Sequence, residues 1–111
     1  MREIKFRAWD MRIKKMMDGE PKGAFFAIVG TAPDKFVVMQ YTGLKDKNGV
    51  DIYEGDVFFC NQCGENRVVE WMNEYAMFTF HRLRVHDGYE VDNEEIEVIG
   101  NIHENPELLT P

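Results

Sequence analysis

Three features of the sequence predict a mainly β protein. Leu is scarce beside Val, Ile, Phe and Tyr, a balance suited to pleated, half-buried surfaces. The apolar runs are short, and clusters of Gly, Asn, Asp and Pro separate them. At 111 residues the chain supports one hydrophobic core, so a single domain over 1–111 is expected.

The elements follow in order. Ile4, Phe6 and Ala8 alternate with Lys5, Arg7 and Trp9, which predicts a strand with one buried face and one basic, aromatic-tipped face. Asp10 to Lys14 reads as a turn, and Lys15 to Met17 as the returning strand of an N-terminal hairpin. Residues 18–23 are loop, rich in breakers, and Ala24 to Val29 is a strand or a short buried helix between which periodicity does not decide. Phe36 to Gln40 is a strand, and Asn48-Gly49 predicts a type I′ hairpin because that turn needs positive φ at both central residues. Gly43 and Gly55 are expected to permit a bend or bulge, with Asp56 bonding nearby amides. Val57 to Cys60 and Arg67 to Trp71 are strands with a turn from Asn61 to Asn66 between them. Met72 to Tyr75 turns into Ala76 to Leu83, a strand bulky on both faces and therefore covered on both sides or lying at a subunit contact. After a turn at Asp87-Gly88, Ile96 to Ile102 is the last strand, with a bulge expected at Gly100. Asn105-Pro106-Glu107 starts a short helix, with Asn105 as N-cap and Leu108 and Leu109 packing inward. Short strands and tight turns of this kind build a small SH3-like roll or partly open antiparallel barrel, here with an N-terminal hairpin and a short C-terminal helix.

Charge narrows the function. The net charge of −7 disfavours general attraction to phosphate backbones. Basic residues gather early (Arg2, Lys5, Arg7, Arg12, Lys14, Lys15), whereas Asp87, Glu90, Asp92, Glu94, Glu95, Glu97, Glu104 and Glu107 form a late acidic stretch without Lys or Arg. Pairing of the first strand with a late one would set these charges opposite each other. Neither a signal peptide nor a membrane span is readable, so a cytoplasmic location is expected, with both cysteines as thiols.

Three segments, MREIKFRAWD, FVVMQYTGLKDKNGVDIYEGDVF and VIGNIHENPELL, resemble the YopX family of small phage and prophage proteins in wording and order. The resemblance implies a mostly β fold related to SH3-type barrels and a phage or prophage origin. It implies no established activity and brings no catalytic residues. The motif residues Gly43, Asn48, Gly49, Gly55, Tyr53, Asp56, Asn105 and Pro106 fit a structural account in which glycines bend the chain, Tyr53 packs and Asn105-Pro106 caps.

Several constellations invite chemistry. Cys60, Cys63, His81 and His86 follow a C-x2-C then H-x4-H order resembling a zinc site, but on an extended strand His81 and His86 point to opposite faces, so two thiols at a hairpin tip is the better account. Asp46, Asn48 and Asp51 lack the glycine an EF-hand loop needs at its sixth position, and Gly43 to Gly49 lacks the Lys-Ser/Thr ending of a phosphate loop. Tyr53, Glu54, Asp56, His103 and Glu104 would make an acid/base set if they converged, which no spacing demands. Lys5, Arg7, Trp9 and Arg12 interleave cations and an aromatic as single-strand nucleic-acid platforms do. The expected function is a non-enzymatic interaction module without cofactor, binding a protein partner or itself through exposed aromatic and Met surface. The alternative is nucleic-acid binding through the N-terminal strand.

Overall fold

A computed structural model describes residues 3–60, 64–72, 77–78 and 96–109. Along the chain run β1 (Phe6–Asp10), β2 (Lys15–Asp18), α1 (Lys22–Thr31), a 3-10 turn (Pro33–Lys35), β3 (Phe36–Lys45) and β4 (Asp51–Tyr53). They are followed by β5 (Asp56–Cys60), β6 (Glu65–Val68), β7 (Trp71–Met72), β8 (Met77–Phe78), β9 (Val98–Asn101) and a second 3-10 turn (Pro106–Leu109). The fold is mainly β, as expected: antiparallel sheets ordered β2-β1-β3-β4 and β6-β5-β9, one of them curled into a half-barrel, with β7-β8 as a separate hairpin. Glu54 and Gly55 carry the chain from the first sheet to the second.

The N-terminal hairpin forms as predicted, with Ala8 opposite Met17. The other neighbour of β1 is β3, with Ala8 opposite Val38, and not a late strand. That corrects the expected pairing with the acidic C-terminal half; the alternation of β1 matches the longer apolar strand β3 instead. Ile4, expected inside, is 56% exposed. The ambiguous segment from Ala24 is helical because Phe25 and Val29, four residues apart, fall on one face. That face closes a core with Ala8 and Phe36, bordered by Phe6 and Met17. Ile52, Phe58, Val69 and Ile96 form a second, separate core, with Leu44 and Val98 against it. The stretch expected as one strand from Arg67 to Trp71 divides between β6 and β7 as Val69 turns inward. Its N–H donates to the Asp56 carbonyl and its carbonyl accepts from Gly55 N–H.

The β3–β4 connection corrects the predicted turn type. Asp46 pairs with Val50 across three loop residues, Gly49 N–H donates to the Asp46 carbonyl at 3.0 Å, and Gly49 alone has positive φ (80°). Asn48 does not adopt the left-handed conformation a type I′ turn requires. This is a type I turn followed by a left-handed glycine, the three-residue hairpin. Asp46 imposes it: one carboxylate oxygen accepts from Asn48 N–H (2.8 Å) and Val50 N–H (2.9 Å), while the other accepts from Val98 N–H (2.9 Å) at the start of β9. Gly55, at φ 85°, makes the sheet-to-sheet bend, and Gly43, at φ 90°, falls where the β3–β4 register shifts. The expected bulge near Gly100 is present, since Phe58 pairs with Val98 and Val57 with Gly100. The C-terminal helix is a single 3-10 turn, and the Asn105 side-chain oxygen accepts from Asn101 N–H at 3.3 Å, fastening β9 instead of capping.

Burial works against the Asp46 charge, but its three backbone donors outweigh it and hold the carboxyl below the ordinary range. Asp46→Ala should therefore lower stability by about 2–4 kcal/mol, read as a lower urea midpoint at unchanged m. Its folded carboxyl titrates below its unfolded value of about 3.9. The stabilisation is accordingly complete above that pH and is lost as acid carries the protein down through the lowered folded value. Asp46→Asn should flatten that part of the acid-unfolding curve.

Candidate functional site

Arg7 projects from the face of β1 opposite Ala8, toward the sheet-to-sheet bend. Its Nη2 donates to Asp56 Oδ1 at 2.7 Å and to the Glu54 carbonyl at 3.2 Å, and its guanidinium lies 4.6 Å over the Tyr53 ring. Asp56 Oδ2 accepts from Tyr53 N–H at 2.8 Å, closing the turn on itself. The side chains are 15% and 3% exposed, so this is a buried ion pair. Burial pushes the Asp56 carboxyl up, and Arg7 with the Tyr53 N–H draws it only part of the way back.

The other basic positions of the N-terminal segment are matched as well. Lys5 Nζ donates to Asp51 and lies 4.6 Å over the Tyr41 ring. Hydrogen bonding to Asp51 outweighs burial and raises the Lys5 pKa. Asp51 also accepts from Lys45 at 2.6 Å, and the two lysines overcome its burial to hold its carboxyl low. Arg12 grips both oxygens of Asp10 at 3.2 Å and covers the Phe36 ring. Trp9 stacks on His103, with centroids 5.5 Å apart and planes 16° from parallel. Lys5, Arg7 and Trp9 thus lie beneath β4 and the bend, while Arg12 stands apart at the β1–β2 turn.

On the other side of the bend lies a groove of about 260 Å³. Its walls are Val37 to Met39 of β3 and Val68 to Trp71, and Glu54, Gly55, Ile102 and His103 complete it. Val37 and Met39, on the face of β3 shared with Arg7 and Trp9, point toward it, and Trp71 (43% exposed) stands at its edge. The Glu54 carboxylate accepts from Gln40 N–H at 2.7 Å, which fixes one wall. His103 Nε2 is buried without a hydrogen-bond partner among the described residues. Burial, then the Arg7 charge, lowers the His103 pKa and favours the neutral imidazole.

Of the acid/base candidates, only Glu54 and His103 share the groove. Tyr53 and Asp56 are bound up with Arg7, and the Glu104 carboxylate accepts from Asn101 Nδ2 at 3.1 Å. Asp46, Asn48 and Asp51 do not converge, because Asp46 serves backbone amides and Asp51 serves lysines. Among the described residues no cluster of three or more His, Cys, Asp or Glu is placed to hold a metal ion. Cys63, His81 and His86, the Cys60 side chain, and most of Ala76 to Leu83 and of the late acidic stretch lie outside the described residues. The groove itself was not readable in the sequence. Both parities of β3 are apolar, and nothing marks Val37 and Met39 as the pair that faces the groove.

A family model described as YopX protein matches residues 20–110. Among solved structures, the chain is similar to the crystal structure of protein EF1440 from Enterococcus faecalis. The two are 28% identical over 98% of this chain and 99% of that one, with a TM-score of 0.63. No curated protein matches the sequence.

Two outcomes follow from the site's electrostatics. Arg7→Met strands a buried carboxylate and should lower stability by about 3–5 kcal/mol. The Arg7→Met/Asp56→Leu double variant should fall short of the summed single losses by about 2 kcal/mol, measured in a denaturant double-mutant cycle. For His103, NMR titration of the imidazole should give a midpoint below about 6.5. Because the folded state disfavours the charged ring, that residue's contribution is complete above the unfolded pKa and declines as pH falls through the lowered one; His103→Gln should abolish this dependence.

Proposed function

The chain belongs to the YopX family, and from that premise we propose a non-enzymatic interaction module of phage or prophage origin that binds a protein partner in the bacterial cytoplasm. The groove between β3 and the Val68–Trp71 segment carries this reading: Val37 and Met39 of β3 and Ile102 wall it with aliphatic side chains, and Trp71 at its edge is in contact with water. An apolar concavity with few polar groups suits an anchoring side chain. Glu54 and Glu70 border it on a chain of net charge −7, which favours a partner segment with basic residues beside its apolar anchor. The non-enzymatic part rests on the carboxylates, since Glu54, Asp56 and Glu104 each serve a structural hydrogen bond. A cytoplasmic site is in keeping with the described helices, none of which is long and apolar enough to cross a membrane. Nucleic-acid binding has less support, because Lys5, Arg7 and Arg12 each already face a carboxylate.

The test is affinity capture from host extract followed by titration of the purified partner. The partner should bind the native chain, bind Lys15→Glu equally, and lose at least tenfold in affinity, about 1.4 kcal/mol, to Val37→Glu. Undiminished binding by folded Val37→Glu would refute the groove as the site. Binding of oligonucleotide at low salt, lost in Lys5→Glu, would favour the alternative.

A further inference from the structure

The groove holds a carboxylate whose charge is unmatched. Asp10, Asp51 and Asp56 each face a cation. Glu54 faces none among the described residues: one of its oxygens accepts from Gln40 N–H at 2.7 Å, and the other takes no donor. Glu70 adds a second carboxylate to the lining, which among the described residues includes no Lys or Arg. Behind the groove, Arg7 is matched by Asp56 at 2.7 Å, so the field inside is negative. At about 260 Å³ the groove falls below the roughly 300–1,000 Å³ of pockets for drug-sized ligands, which leaves room for one side chain. Val37, Met39 and Ile102 are its apolar wall, with the Trp71 ring at the edge.

We infer that the groove, taken as the partner site proposed above, seats an arginine side chain of the partner, with its methylene stem along Val37, Met39 and Ile102 and its guanidinium at the Glu54 carboxylate and the Trp71 ring. Three considerations select this occupant. A purely apolar anchor would strip water from Glu54 and leave its charge unpaired, which is costly, whereas a cationic head replaces that water with a counter-charge. An anionic anchor would be repelled by both carboxylates on a chain of net charge −7. Arginine suits the lining better than lysine, because its planar head stacks on an aromatic face while it bonds a carboxylate, and it is more weakly hydrated. Its stem buries along apolar surface while the head stays charged, so one residue answers to both the aliphatic wall and the carboxylates.

Amide NMR of the isotope-labelled full chain tests this with capped tripeptides Gly-Xaa-Gly as probes. With arginine at the centre, the probe should shift the Met39, Gly55 and Ile102 amides and the Trp71 indole N–H along a saturable curve, with a midpoint on the order of millimolar. A citrulline probe, of the same shape but uncharged, should bind the native chain about tenfold more weakly. Glu54→Gln, which keeps an oxygen for Gln40 N–H, should weaken the arginine probe about fivefold and leave amides away from the groove unmoved. Equal binding of the arginine and citrulline probes, or undiminished arginine binding by folded Glu54→Gln, would overturn the proposal. A leucine probe that shifts these signals while the arginine probe does not would overturn it and leave the groove standing as the partner site. Silence from every probe would overturn it as well, and the partner titration with Val37→Glu then decides the groove separately.

Discussion

The structure turns on one buried ion pair. Asp56 is 2% exposed, and its carboxylate connects Arg7 on β1 to the backbone of the turn that follows β4. This is where the chain leaves one sheet for the other, so the pair sets the angle at which they meet. A buried pair contributes little net stability relative to apolar residues, because both partners are stripped of water. Its value lies in discrimination: any other register of β1 would leave Arg7 or Asp56 buried and unpaired. Tyr53 supports the pair twice, with its ring beneath the guanidinium and its N–H on the carboxylate.

The three aspartates of the segment between β3 and β5 divide the remaining work. Asp46 organises backbone and ties the hairpin tip to the entry of β9, a span of fifty-two residues. Asp51 holds Lys5 and Lys45 along β4. Asp56 closes the bend. An acid-rich segment that resembles a metal loop or a catalytic cluster is in fact a set of anchors, each oxygen satisfied by a donor that the fold brings to it.

What these anchors leave open is apolar. The groove beside Val37 and Trp71 and the outer face of α1 lie on opposite sides of the β1–β3 sheet, and among the groove's lining residues there is no Lys or Arg. His103 connects the groove to β1, since its ring lines the first and stacks on Trp9.

The sequence alone determined the local conformations. Alternation made β1 a strand, glycines at 49 and 55 marked the bends because side chains strain at positive φ, and the wording of both ends pointed to the YopX family. Local chemistry also announced a turn at residues 46–50, though not its type, because the deciding donor for one Asp46 oxygen is Val98 N–H far along the chain. Only the tertiary structure decided that β1 pairs with β3, that residues 24–29 coil, and that the basic face of β1 is covered by Asp51, Tyr53 and Asp56. Those outcomes depend on which distant surfaces meet. Periodicity states which side of an element is apolar, and packing alone states what covers it.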